Sequence, residues 1–484
     1  MRPAEKDTDR RTSSPNLVLA VICIGIFLAA LDQTVIYGAL PGIMADINLP
    51  VTKLDQAAWI VIGYLLGYTC ALPLMGRISD VFGHRRIYLI SLVIFAAGST
   101  LVALADSLQW MVAARVVQAV GGGSLVPVAM AIAGDEYLDK RRIVAWGIIG
   151  ACLEAGGAIG PFYGAAIAQL WNWRWIFWIN LPFSVIALYI VSRYLNASPR
   201  APGKIDYIGG GLLAVALTSL SLAISQRSEQ DHFLAYMAVF LVIAILLFIF
   251  ISVRSTRISY PLIKPALFRN VTFASANITN LFVGGALIIA MVNIPLMTDT
   301  IMGGSPLEGG LRLLRLTVML SIGAVVGGFI CKRFGYRLPI IAGLILCSIG
   351  LYLISRWTLQ VNDPGMTVDL AVTGFGFGLV IAPLSAAAVD SADKGQRGIA
   401  SSFIVMMRLA GMIIGLSAIT SWGIGRFHLM TASMSLTDII NAPNAIIQSL
   451  LTVFHDFFLA AMVVCLIALI PAFWTKGRNT PNER

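Results

Sequence analysis

Charge is scarce in this chain. Asp, Glu, Lys and Arg make up only 12% of its 484 residues, against about 25% in soluble domains. With 58% hydrophobic residues and a mean hydropathy of +0.84, the chain has too little polar surface for a soluble globular protein. Alternating apolar and polar strands are lacking too. The apolar runs are continuous, which excludes a transmembrane β-barrel. The six cysteines (Cys23, Cys70, Cys152, Cys331, Cys347 and Cys465) lie in or beside apolar runs, without metal-ligand spacing. They read as small apolar side chains, not as disulfides or metal ligands. The sequence lacks G-x-x-x-x-G-K-[ST], H-E-x-x-H and G-x-S-x-G, so nothing in it points to nucleotide hydrolysis, zinc peptidase or serine hydrolase chemistry. His84, His232, His428 and His455 all fall outside the mid-membrane region, and none is assigned to a metal or a proton relay. The expectation is a protein that is not an enzyme and needs no cofactor. An ion gradient is then the remaining energy source; one charge crossing 100 mV supplies about 2.3 kcal/mol.

What the chain does have is apolar runs of bilayer length, about 20 residues each. Candidate spans are 16–40, 57–76, 87–105, 109–133, 143–169, 175–195, 205–224, 233–253, 271–297, 310–331, 338–356, 366–389, 398–424 and 452–474, about 14 in all. The span at 310–331 is the weakest, because Arg312 and Arg315 stand at its start. The first run is long for a signal sequence and lacks a clear cleavage site, so it reads as a permanent span. If the N-terminus is cytoplasmic, 25 of the 34 Lys and Arg residues fall in cytoplasmic segments and 7 in outer ones. The net charge of +10 is then a topology signal and not a nucleic-acid patch, and both termini are expected in the cytoplasm. Trp171, Trp173, Trp175 and Trp178 read as an aromatic belt at one outer edge. The outer segment Phe427–Leu450 reads either as lying on the membrane surface or as a solvated loop.

The chain repeats itself. Gly76-Arg-Ile-Ser-Asp80-Val-Phe-Gly83-His84-Arg85 matches Gly328-Phe-Ile-Cys-Lys332-Arg-Phe-Gly335-Tyr336-Arg337, with an offset of 252 at both glycine pairs. Two similar halves are implied. The expected organisation is a cytoplasmic tail over 1–15, a six-helix bundle over 16–195, two linking spans over 205–253, a second six-helix bundle over 271–474 and a tail over 475–484.

Four ionisable residues fall deep in spans: Asp32, Arg115, Glu154 and Arg408. They read either as paired structural charges or as functional groups, since intramembrane charge is costly and faces a cavity or a partner. A carboxylate whose arginine partner comes and goes could take up and release a proton. Asp32, Arg115 and Glu154 are the proton-coupling candidates. Glu154 precedes Gly156, Gly160, Pro161 and Gly164, a pattern that combines close helix approach with a bend. Arg408, with Gly411 and Gly415, occupies the matching place in the second half. A Glu154–Arg408 contact across the halves is therefore expected, forming or breaking as they move. Gly76, Asp80, Gly83, Arg85 and Arg86 read either as ordinary positive flanking or as a conformational latch between the halves.

These residues together resemble the major facilitator superfamily, in its 14-span drug:proton antiporter branch. Gly76–Arg86 looks like the loop motif between its second and third helices. Leu31-Asp32-Gln-Thr34-Val-Ile-Tyr-Gly-Ala-Leu40-Pro41 is similar to the first-helix motif of that branch. Arg115-Val-Val-Gln118-Ala-Val-Gly121 resembles the fourth-helix motif, with Ala119 where glycine is usual. Gly156–Gly164 with Pro161 resembles the exporter motif of the fifth helix. Glu154 lies outside that general motif. Together with Asp32, Arg408 and the stretch Trp59–Tyr68, it resembles a mycobacterial group linked to multidrug efflux and to export of triacylglycerol-type lipids.

The resemblance implies an all-α integral membrane fold of two six-helix bundles with two extra central helices, working by alternating access. It implies Asp32 and Arg115 as the proton-coupling pair, and Glu154 and Arg408 facing a central cavity from opposite halves. The expected function is proton-coupled export of hydrophobic or amphiphilic small molecules. The alternative is export of lipids to the outer leaflet or to a periplasmic lipid-carrier protein. An uptake permease and a non-transporting sensor are the remaining readings. The implied setting is a bacterial inner membrane, and the implied state a monomer.

Overall fold

The computed structural model describes residues 15–50, 53–137, 139–196, 204–225, 233–258, 261, 265–359, 363–392, 397–431 and 443–475. These residues form fourteen long apolar helices and no strand. They are α1 (Pro15–Asp46), α2 (Leu54–Phe82), α3 (His84–Ala103), α4 (Leu108–Glu136), α5 (Asp139–Leu170), α6 (Arg174–Tyr194), α7 (Tyr207–Ile224), α8 (Phe233–Arg257), α9 (Val271–Thr300), α10 (Pro306–Phe334), α11 (Arg337–Ile354), α12 (Asp363–Asp390), α13 (Arg397–Thr431) and α14 (Pro443–Ala472). Only helices satisfy every backbone group within one segment, as a hydrocarbon surrounding demands. The protein is a multi-pass membrane protein with an all-α fold.

Local sequence sets the helix starts. Ser107, Asp206, Asn270 and Ser305 cap α4, α7, α9 and α10 by accepting from Trp110, Gly209, Thr272 and Glu308 backbone N–H groups. The weak candidate span is thus the interior of a helix that opens at Ser305–Pro306. Its two arginines have partners near that end: Arg312 donates to Thr298 Oγ1 at 3.0 Å, and Arg315 pairs with Asp363 at 2.5 Å.

The repeated loop motif has a conformational cause. Gly83 and Gly335 end α2 and α10 at φ 96° and 76°, in the region that favours glycine. Packing repeats as well. α1 lies along α5, α2 and α3 along α4, and α3 along α6. In the second half, α9 lies along α13, α10 and α11 along α12, and α11 along α14. α1 and α9 are apolar nearly all round and take the inner positions, buried along most of their length. Between the halves run α7, which touches α2 and α13, and α8, which packs mainly on α7.

Two expectations change here. Trp171 and Trp175 are exposed at the end of α5 and start of α6, but Trp173 is buried and donates to Asp46 at 3.2 Å. Asp46 also pairs with Arg174, so Trp173 is part of an interhelical polar contact and not of a belt. Within 427–450, residues 427–431 continue α13 and 443–450 begin α14, while 432–442 lie outside the described residues. The tails at 1–14 and 476–484 lie outside them too.

Candidate functional site

Helix α1 carries Asp32 into the first half, where five side chains from four other helices converge on it. Arg115 of α4 donates from Nη1 to Asp32 Oδ2 at 2.6 Å and from Nη2 to the Asp32 carbonyl at 3.2 Å. Gln118, one turn on, donates to Asp32 Oδ1 at 2.9 Å and accepts from Arg115 at 2.9 Å. Asn180 of α6 donates to the same Oδ1 at 3.0 Å. Ser99 of α3 accepts from Gln118 at 2.8 Å and from Asn180 at 3.3 Å. On its other side the Arg115 guanidinium sits 4.0 Å over the Tyr64 ring of α2. Asp32 and Arg115 are both fully buried. A buried charge pair is tolerated when further hydrogen bonds occupy its remaining sites. Arg115 Nε and the Tyr37 hydroxyl are the exceptions: both are buried without a hydrogen-bond partner among the described residues.

Two residues further along α1, the surroundings open. Gln33 and Thr34 border a cavity between the halves. Glu154 enters it from α5 and Arg408 from α13. Apolar side chains, among them Leu153, Leu287, Met291, Ile381 and Met412, make up most of the wall, and Tyr68, Thr317 and Ser321 add hydroxyls. Glu154 and Arg408 therefore share one cavity, but they form no ion pair within 4.0 Å in this structure. Glu154 also stands apart from Asp32 and Arg115, with which the sequence grouped it.

The glycine pattern of α5 explains how the cavity wall is held. A methyl group on Gly156 would lie 2.4 Å from the Phe27 carbonyl oxygen, on Gly160 2.0 Å from Thr34 Oγ1, and on Gly164 2.1 Å from the Val35 carbonyl oxygen. These three glycines form a seam against α1. Gly157, one residue off the seam, has open space before it and borders the cavity. Pro161 lacks the N–H that would bond the Gly157 carbonyl. Thr34 Oγ1 supplies a donor to that carbonyl at 3.0 Å. The second half repeats the seam: Gly411 abuts the Leu281 carbonyl and Gly284 the Arg408 carbonyl. Arg408 thus points from a fixed backbone.

The halves meet at one end of the cavity. Thr317 of α10 donates to the Ala158 carbonyl at 2.6 Å, and Leu307 N–H donates to Gln169 Oε1 at 2.9 Å. In the other direction along α5, a methyl on Gly150 or Gly147 would have no neighbour within 4 Å among the described residues.

The loop residues form a separate cluster. His84 bridges two carboxylates, Asp135 at 2.7 Å and Asp80 at 3.3 Å. Asp80 also pairs with Arg77 at 3.6 Å. Gly76 packs near Pro127 of α4, Arg85 donates to the Ser192 carbonyl, and Arg86 is exposed. Asp80 is thus held by its own loop and not by the second half. Asp135 and His84 were not singled out by the sequence, nor were Asn180 and Ser99. The available signal was polarity inside or beside apolar runs, which many structural residues share. Among the described residues no cluster of His, Cys, Asp and Glu is suited to a metal ion.

Comparison with known proteins agrees with this geometry. The family model described as Major Facilitator Superfamily matches residues 22–416 and 274–484. A triacylglyceride transporter of Mycolicibacterium smegmatis is 34% identical over 501 residues, covering 97% of this chain and 89% of that protein. One from Mycobacteroides abscessus is 36% identical, covering 87% of this chain and 85% of that protein. A probable triacylglyceride transporter of Mycobacterium leprae is 33% identical, covering 94% and 95%. Among solved structures, an inward-facing, occupied bacterial homologue of the human lysosomal transporter Spinster superposes with a TM-score of 0.70 at 17% identity, covering 95% of this chain and 96% of that one. At that identity the likeness concerns the fold.

Proposed function

The chain belongs to the Major Facilitator Superfamily and is a transporter of that family, not an enzyme; we propose that it exports triacylglyceride-type lipids, with proton movement as the driving force. The observation that carries this reading is similarity along nearly the whole chain to proteins named triacylglyceride transporters. The lipid alternative is therefore better supported than general drug export. The cavity wall fits such a cargo. Apolar side chains would accept acyl chains, while Glu154, Arg408 and the hydroxyls of Tyr68, Thr317 and Ser321 could engage ester or glycerol oxygens. A mixed wall of this kind also admits other amphiphiles, which is what favours the second reading.

The mechanism follows from two charge sets with different access. Asp32 and Arg115 form the proton-coupling pair. A proton on Asp32 cancels its charge and frees Arg115 to rearrange toward its remaining neighbours. Glu154 and Arg408 face each other from opposite halves. As the halves rock, their separation changes, and a closed pair would seal the cavity when no lipid fills it. With the N-terminus in the cytoplasm of a bacterial inner membrane, the α5–α10 contacts at Thr317 and Leu307 close the outer side. The cavity is then open toward the cytoplasm.

The test is transport in proteoliposomes bearing a proton gradient, with a labelled triacylglyceride and an added lipase that reports lipid reaching the far side. Wild type should raise lipase-accessible label above protein-free vesicles. Glu154→Gln and Arg408→Gln should return it to that background. Wild type no faster than protein-free vesicles contradicts the lipid reading.

A further inference from the structure

The two charge sets do not touch, so something must carry the state of Asp32 to the cavity. Helix α2 spans the gap with two aromatic rings one turn apart. Tyr64 lies under the Arg115 guanidinium at 4.0 Å, and its hydroxyl donates to the Ala29 carbonyl of α1 at 3.2 Å. Its ring centroid is 6.0 Å from that of Tyr68, at an interplanar angle of 30°. Tyr68 lines the cavity, and its hydroxyl is within electrostatic reach of both Arg408 and Glu154. The rings sit against the glycine run of α4. A methyl on Gly122 would lie 2.9 Å from the Tyr64 hydroxyl, and one on Gly123 would lie 2.9 Å from the Tyr68 carbonyl and 3.1 Å from its Cγ. Gly122 and Gly123 thus admit the two tyrosines side by side, close to Arg115 on the same helix.

We propose that Tyr64 and Tyr68 are the coupling residues of this transporter, transmitting the protonation state of Asp32, through Arg115, to the Glu154 and Arg408 side of the cavity. The proposal rests on the proton-coupled lipid reading above. With Asp32 ionised, its carboxylate and the Tyr64 ring hold the guanidinium from two sides. A proton added to an Asp32 oxygen removes the anionic side, leaving the Tyr64 ring face, Gln118 Oε1, the Asp32 backbone carbonyl and the more distant Phe177 ring as the holders. In a fully buried site the attraction between the guanidinium and the ring is at its strongest, so the cation shifts its weight onto Tyr64. Tyr64 is tied to α1 by its hydroxyl, and a displacement of its ring meets Tyr68 next. The other groups around Asp32 do not offer this route. Tyr37 of α1 and Tyr163 of α5 lie within electrostatic reach of Arg115 and Asp32 respectively, but the cavity lining includes neither. Asn180 and Ser99 face the first half alone. At the cavity end, the charged groups near Tyr68 are Glu154 of α5 and Arg408 of α13.

Proton and lipid binding that are coupled must shift each other reciprocally, by roughly 5–150-fold for coupling of ordinary size. The experiment measures the affinity of the purified full-length protein for a fluorescent triacylglyceride analogue from acid to alkaline pH and takes the ratio of the two ends. That ratio is independent of the absolute affinity, which Tyr68 variants will change. Wild type should show a ratio in the stated range, and Asp32→Asn should flatten it. Tyr64→Leu and Tyr68→Leu should also bring it close to one, whereas Tyr64→Phe, which keeps the ring, should retain it. If Tyr64→Leu does not elute as a monodisperse protein, Tyr68→Leu at the cavity wall decides. A flat wild type, or Asp32→Asn with the wild-type ratio, overturns the proton reading and this inference together. A flat Asp32→Asn beside leucine variants that keep the wild-type ratio overturns the tyrosine coupling alone.

Discussion

The pair Asp32–Arg115 and the pair Glu154–Arg408 each put one acid and one base inside the membrane, yet they are built in opposite ways. The first is closed: no water-accessible surface, an ion pair of 2.6 Å, and hydrogen bonds from Gln118 and Asn180 filling the carboxylate. The second is open. Its members come from different halves, line one cavity and lack a mutual ion pair in this structure. The difference teaches how one chain can separate two tasks. A closed pair fixes one half as a unit and, on the function proposed above, changes only when a proton arrives, while an open pair is exposed to whatever enters the cavity and to motion of the halves.

The comparison breaks most easily at Arg115. Arg115→Leu leaves the Asp32 carboxylate buried and unpaired, which should cost about 3–5 kcal/mol and sharply lower the unfolding temperature and yield of the purified protein. An unchanged unfolding temperature would mean that the closed pair is not structural. Next comes the seam that joins the two regions. Gly160→Ala forces a methyl against Thr34 Oγ1 and the Leu31 carbonyl, with an expected loss of about 1–3 kcal/mol. Gly157→Ala, facing open space, should leave the unfolding temperature as it is. Equal losses at 157 and 160 would contradict the assignment of cavity and seam faces.

Smaller effects sharpen the open side. Thr317→Val removes the hydrogen bond to the Ala158 carbonyl, worth roughly 0.6 kcal/mol among membrane helices. That should raise the population with α5 and α10 separated about threefold, read by spin-label distances between the two helices. A small change in stability is expected for Arg408→Gln, within about 0.5 kcal/mol, because the side chain is only half-buried and has no ion pair to lose. The same variant should stop lipid transport, so it separates function from folding where Arg115→Leu cannot.

The sequence shows much of this architecture, for identifiable reasons. Fourteen spans were legible because hydrocarbon demands long apolar helices, and the repeat was legible because the turns at Gly83 and Gly335 both need positive φ. Asp32, Arg115, Glu154 and Arg408 stood out as charges in apolar runs. Their sorting into a closed and an open set did not, since it depends on which helices meet. Glu154 is only two residues from Gly156, yet Gly156 lies on the α1 seam and Glu154 on the cavity face. Asn180 and Ser99 were hidden because a neutral polar residue in a membrane helix most often bonds its own backbone, as Thr69 and Ser91 do here. Trp173 was misread because a tryptophan near a span end looks the same whether it faces lipid or donates to Asp46 of a neighbouring helix.

The most direct measurement uses Gly157, where the cavity wall is bare. Lipids retained by the purified protein are identified by mass spectrometry in wild type and in Gly157→Trp, whose indole would fill the cavity without entering the seam with α1. The account predicts a triacylglyceride bound to wild type and absent from a Gly157→Trp protein that still folds. Triacylglyceride held equally by both proteins would contradict the placement of the cargo between Glu154 and Arg408.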